Sequence, residues 1–127
     1  MLSSTDFRRI VLGLRDAIEG AHMGHPDFRV NGRIFASLND DETRAMVVLT
    51  PEEQERFIQE CPSAFEPESG AWGRAGCTRV HLAAVDDEAL GEAATLAFQN
   101  AIRKGPVRPR SKTATARKTP RRTPRRR

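Results

Sequence analysis

Apolar and polar positions change their period several times along this chain, and each change marks an element. Phe7, Ile10, Val11 and Leu14 recur at i, i+3, i+4 and i+7, the stripe of an amphipathic helix. Ser3 and Asp6 stand ahead of the stripe with capping-box spacing. Gly13, which costs about 1 kcal/mol against Ala inside a helix, predicts its end. From His25 to Leu49 the period falls to two. Three antiparallel strands are predicted there, joined by Asn31-Gly32 and by the acidic turn Asn39-Asp40-Asp41-Glu42. Asn-Gly is the strongest short hairpin signal, because a type I′ turn needs φ > 0 at both central residues.

A two-residue first loop sets Val30 opposite Arg33 and Phe28 opposite Phe35. A four-residue second loop sets Leu38 opposite Thr43 and Phe35 opposite Met46. Opposed residues share a face, and faces alternate along each strand. Ile34, Ala36, Leu38, Ala45, Val47 and Leu49 then form the predicted core face. Phe28, Val30, Arg33, Phe35, Arg44, Met46 and Val48 form the other.

The period returns to 3.6 after Thr50. Thr50 is the predicted N-cap, Pro51 the first helical residue, and Glu53 closes a capping box. Phe57, Ile58 and Cys61 make the inner stripe, and Pro62 stops the helix or opens an extra turn carrying Phe65. A loop is expected over 66–71. A second hairpin is expected over Trp72–Leu82, turning at Ala75-Gly76, with Thr78, Val80 and Leu82 opposite in face to Cys77, Arg79 and His81. A last helix starts at Asp86 or Asp87. It runs along Leu90, Ala94, Ala97 and Ala101 and stops at Gly105-Pro106. The predicted fold class is α+β: an antiparallel sheet, made of the meander and the second hairpin, packed against N-terminal, middle and C-terminal helices.

Charge divides what periodicity does not. Residues 1–102 hold nine Lys+Arg against 17 Asp+Glu, a formal −8. Residues 103–127 hold twelve cations and no acid, a formal +12. The 127 residues therefore read as one domain over 1–104 and a basic tail over 105–127, expected to be disordered when free because it has too little apolar surface to offset its ordering entropy. Cys61 and Cys77 form no C-x-x-C pair, and no signal peptide or bilayer-length apolar run is apparent. The expectation is a cytoplasmic monomer with reduced thiols and no membrane contact.

Three segments, HPDFRVNGRIFASL (His25–Leu38), VVLTPEEQERFIQECPSAFEP (Val47–Pro67) and AWGRAGCTRVHL (Ala71–Leu82), occur in an order and spacing that resemble the MmcQ/YjbR family. With the last helix they cover nearly all of residues 5–102. The resemblance implies a frataxin-like two-layer α+β sandwich and a DNA-binding role for its hairpins. The stretches His22–Pro26 and Trp72–Thr78 depart from the better-known branch of that family, and the basic tail lies outside its pattern.

The candidate chemistry is electrostatic. Arg108, Arg110, Lys112, Arg117, Lys118, Arg121, Arg122, Arg125, Arg126 and Arg127 suit phosphate contacts that do not read sequence. Phe28, Arg33, Phe35, Arg44, Trp72 and Arg74 offer a second, sheet-face surface, where aromatics stack bases and arginines meet phosphate. The bland reading of that surface is core aromatics with arginines paired to the body's acids. His22, His25 and Asp27 have metal-ligating side chains, yet no further ligand is fixed by spacing. The expectation is no metal and no cofactor. No nucleophile elbow or P-loop is present, so no catalytic residue is assigned. The expected function is non-enzymatic DNA binding, mainly through the tail. The alternative is a protein- or small-ligand-binding domain whose tail meets polyanions incidentally.

Overall fold

The computed structural model describes residues 2–106. Its order is α1 (Ser4–Leu12), β1 (Ile18–His22), β2 (His25–Val30), β3 (Arg33–Leu38), β4 (Arg44–Val48), α2 (Pro51–Glu60), β5 (Phe65–Pro67), α3 (Gly70–Arg74), β6 (Cys77–His81) and α4 (Asp87–Lys104). The strands form one antiparallel sheet in the order β1-β2-β3-β4-β6-β5. The expected α+β class therefore holds, and the expectations for the tail lie outside the described residues.

Local chemistry sets the element ends. Ser3 and Asp6 form a complete capping box on α1, and Gly13 is its C-cap. Thr50 and Glu53 do the same for α2, with Pro51 in its first turn. Asp86 caps α4 by accepting from the Ala89 amide, and Gly105 ends it with φ 80°. Asn31 and Gly32 both take positive φ, 54° and 78°, so the I′ turn is as expected.

Cross-strand rows show which face each residue occupies. Leu38, Ala45, Val80 and Phe65 form one row, and Phe28, Ala36, Val47 and Thr78 another. All eight are buried. They meet α4, whose Leu90, Ala93, Ala94 and Ala97 are fully covered, together with Phe7 and Val11 of α1 and Phe57 of α2. Small side chains let α4 approach the sheet closely. The aromatic pairs Phe7–Phe28, Phe35–Phe98 and Phe57–Phe65, with centroids 5.3, 5.6 and 5.0 Å apart, join the helices to the strands.

Four expectations are corrected. First, β1 is an additional edge strand, turning into β2 through Met23 and Gly24, both at positive φ. Second, Trp72 does not begin a strand. Gly70–Arg74 is a short helix, and β6 pairs with β5, which joins Phe65, expected in an extra turn, to the start of the segment expected to be a loop. Third, Phe28 pairs with Ala36 while Arg29 pairs with Ile34, so Phe35 is an extra residue in β3. This bulge turns both Phe35 and Ala36 inward and leaves Ile34 only half-buried. One inserted residue reverses the faces beyond it, which puts Phe28, Val30 and Phe35 in the core rather than on a separate face. Fourth, Leu38 pairs with Ala45 rather than Thr43. That shift is two residues, an even number, so the core assignment of Ala45, Val47 and Leu49 survives it.

Candidate functional site

The face of the sheet turned away from α4 is polar. One cross-strand row on it runs Gly20, Asp27, Ser37, Met46, Arg79 and Glu66. Beside it, His22 pairs with His25 in the β1-β2 hairpin and Arg44 with His81 across the neighbouring strands β4 and β6. Together with α3 these rows wall an open trough of about 550 Å³, lined by His22, His25, Ser37, Arg44, Met46, Glu68, Trp72 and Arg79 among others.

Asp27 anchors one end. Its side chain is fully buried, and it accepts from Arg29 Nε at 2.8 Å and from Arg29 Nη2 at 3.0 Å. The guanidinium holds the carboxyl below its ordinary value against the opposing effect of burial, and His22 adds to the effect. An ionised carboxylate only accepts, so the 2.7 Å contact with His22 places the proton on Nδ1. In the neutral ring, Nε2 then carries the lone pair. Gly20 makes room for this cluster: a Cβ there would lie 3.1 Å from Asp27 Oδ1.

The other end depends on α3. Gly73 presses against the preceding chain so closely that a Cβ would lie 1.8 Å from the Glu68 carbonyl oxygen. Gln54 of α2 donates to the carbonyls of Gly73 and Cys77, each at 3.0 Å. These contacts hold Trp72 over the trough with 74% of its surface exposed. Below it, Arg79 pairs with Glu68 at 3.0 Å and with Glu66 at 3.6 Å. His81 Nε2 meets Glu66 at 2.5 Å and is the chief cause of that carboxyl's lowered pKa. Cys77 borders a smaller adjoining hollow, and burial pushes its thiol up.

The residues expected on a sheet-face surface are dispersed. Phe28 and Phe35 are in the core. Arg33 lies at the far end of α4, donating from Nε to the Gly105 carbonyl at 2.7 Å, where a cation suits the helix's negative end. Arg44 and Trp72 do share the trough, and Arg74 ends α3, exposed. The tail residues Arg108 to Arg127 lie outside the described residues. His22 and His25 part company: His25 Nδ1 pairs with Asp40 at 2.8 Å rather than with Asp27. Among the described residues, no three His, Cys, Asp or Glu side chains converge as metal ligands. Also among the described residues, no helix is long and apolar enough to cross a membrane.

Sequence reading missed Ser37 and Glu68 as trough residues, and Arg29 and Glu66 as ion-pair partners beside it. The signal for Arg29 was its period-two spacing from Asp27. Glu66 and Glu68 carried none, since β5 is only three residues long.

A comparison with curated proteins found no match. Among solved structures, the chain is similar in fold to the crystal structure of Deinococcus radiodurans protein DR2400, described with a DUF419 domain. Identity is 23%, the TM-score is 0.69, and the match covers 82% of this chain and 81% of that one. The YjbR family model matches residues 12–100, a span holding all six strands, α2, α3 and most of α4. With that match over most of its length and the sheet order described above, the chain belongs to the YjbR family.

Proposed function

We propose that this protein is a non-enzymatic DNA-associated protein of the cytoplasm, a monomer whose phosphate contacts come mainly from its C-terminal Arg/Lys-rich segment. The observation that carries the reading is the engagement of the body's own cations. Arg8 pairs with Glu19 and Glu42, Arg29 with Asp27, Arg56 with Glu92, and Arg79 with Glu66 and Glu68. Arg33 caps α4. An acidic body with most of its arginines so occupied repels a polyanion, whereas the twelve cations from Arg103 onward have no acid among them. Phosphate contacts of that kind position a protein without reading sequence. Family membership is compatible with this role and does not by itself assign it.

The test compares full-length protein with a chain ending at Pro106, which keeps every described element. Full-length protein is expected to bind unrelated duplexes with similar affinity. If about six tail charges engage phosphate, log K falls with log salt at a slope near −5. The shortened chain loses most of the binding and most of the slope. Retained binding by the shortened chain, lost on Arg44→Ala with Arg74→Ala, would move the contact to the trough. The trough itself favours a second reading, a small-ligand-binding domain whose tail meets polyanions incidentally.

A further inference from the structure

We propose that the trough binds a small anion made of a planar ring and a phosphate, of the nucleoside monophosphate class. Its size suits that occupant: about 550 Å³ lies within the roughly 300–1,000 Å³ typical of small-molecule sites. Trp72 supplies the plane. A large indole left 74% exposed contributes little to the core, yet Gly73 and Gln54 fix the helix that carries it. A solvent-facing indole on an anchored helix is a stacking surface that any base fits. Met46 forms apolar floor beside it.

Arg44 supplies the phosphate end. Of the two arginines lining the trough, Arg79 is engaged by carboxylates, while Arg44 has no carboxylate within ion-pair distance among the described residues. On the same side of the sheet, His25 stands two strand spacings away, roughly 10 Å, and His22 three. Each donates Nδ1–H to an aspartate, so Nε2 of the neutral ring accepts and suits a ligand hydroxyl or amino group rather than the phosphate. Among the lining side chains Arg44 and Arg79 stand against Glu68, and Glu66 and Asp41 beside the trough also act on Arg44, in a body whose formal charge is −8. A small anion is drawn to the unpaired Arg44 itself rather than to the surrounding acidic surface. This proposal does not rest on DNA binding by the tail.

Trp72 is the sole tryptophan and the chain has no tyrosine, so its fluorescence reads the trough alone. Full-length protein is titrated with AMP at raised salt, which weakens diffuse contacts with the tail. Saturable quenching is expected, with adenosine and inorganic phosphate each binding about tenfold more weakly or less. Arg44→Gln is expected to weaken AMP about tenfold or more, the loss of a charge-assisted hydrogen bond. Trp72→Phe, followed by calorimetry, is expected to weaken it several-fold. Matching thermal melts for the variants show that folding is intact. Absence of saturable quenching at millimolar AMP overturns the proposal. So does quenching that Arg44→Gln leaves unchanged, or inorganic phosphate binding as tightly as AMP. None of these outcomes alters the salt slope of the DNA experiment, so the two readings fail separately.

Discussion

The two faces of the sheet are made by the same strands and differ in what satisfies them. Toward α4, the rows through Val80 and Val47 are apolar except for the buried Thr78 and are closed by helices. Away from α4, the row Asp27, Ser37, Met46, Arg79 and Glu66 is held by ion pairs and remains open beneath Trp72. Burial without polar partners tolerates almost any occupant of the right volume. A polar face tolerates only occupants whose charges match, and there its own side chains mostly answer one another. Arg44 and Trp72 break that pattern, which is why the open face, and not the covered one, carries the candidate site.

The sharpest break in the comparison comes from the covered face. Phe35→Ala should lower stability by about 3–5 kcal/mol, since a fully buried ring leaves a cavity against Phe98. Urea unfolding measures this, and a loss near zero would return Phe35 to the open face and remove the bulge. Gly73→Ala comes next, at about 1–3 kcal/mol, because its Cβ has no room beside the Glu68 carbonyl. Hydrogen exchange should show α3 loosening while β2 and β3 stay protected.

Asp27→Asn should cost about 1–3 kcal/mol at neutral pH by leaving Arg29 without its charged partner. The sign of its pH dependence follows from the lowered folded pKa. The Asp27 contribution is complete above the unfolded value of 3.8 and disappears as pH falls through the folded one. The gap between melts of wild type and variant should therefore begin to narrow below about pH 4 and close only below the lowered folded value. A gap that persists in acid would show that the ion pair is not its source. The smallest effect belongs to the rim. Arg56→Ala removes a pair with Glu92 in which both side chains are about half exposed, and about 0.5 kcal/mol or less is expected, shrinking further in salt.

Legibility followed the range of the interactions involved. Thr50-Pro51 with Glu53, Asp86 and Gly105 marked helix ends correctly because caps form within a few residues. Asn31-Gly32 marked its turn for the same reason. β1 was missed because Ile18-Glu19-Gly20-Ala21-His22 has one strong apolar residue and lies at a sheet edge, where half its surface needs no partner. Its turn, Met23-Gly24, has the conformation of an Asn-Gly turn without the asparagine. Trp72 was misplaced because an aromatic before Gly-rich residues suits a strand start, whereas Gly73 in fact serves close packing on Glu68.

The sequence by itself determined the elements with strong periods and caps, the α+β class, the family, and the division of charge between body and tail. It also placed Ala45, Val47 and Leu49 inward, since alternation along β4 survives any even shift of register. The tertiary structure alone decided the face of Phe28 and Phe35, the pairing of β5 with β6, and the meeting of Arg44 with Trp72, whose positions lie 28 residues apart. The physical reason is that a bulge changes parity with a single residue, and sheet order joins strands that no local pattern connects.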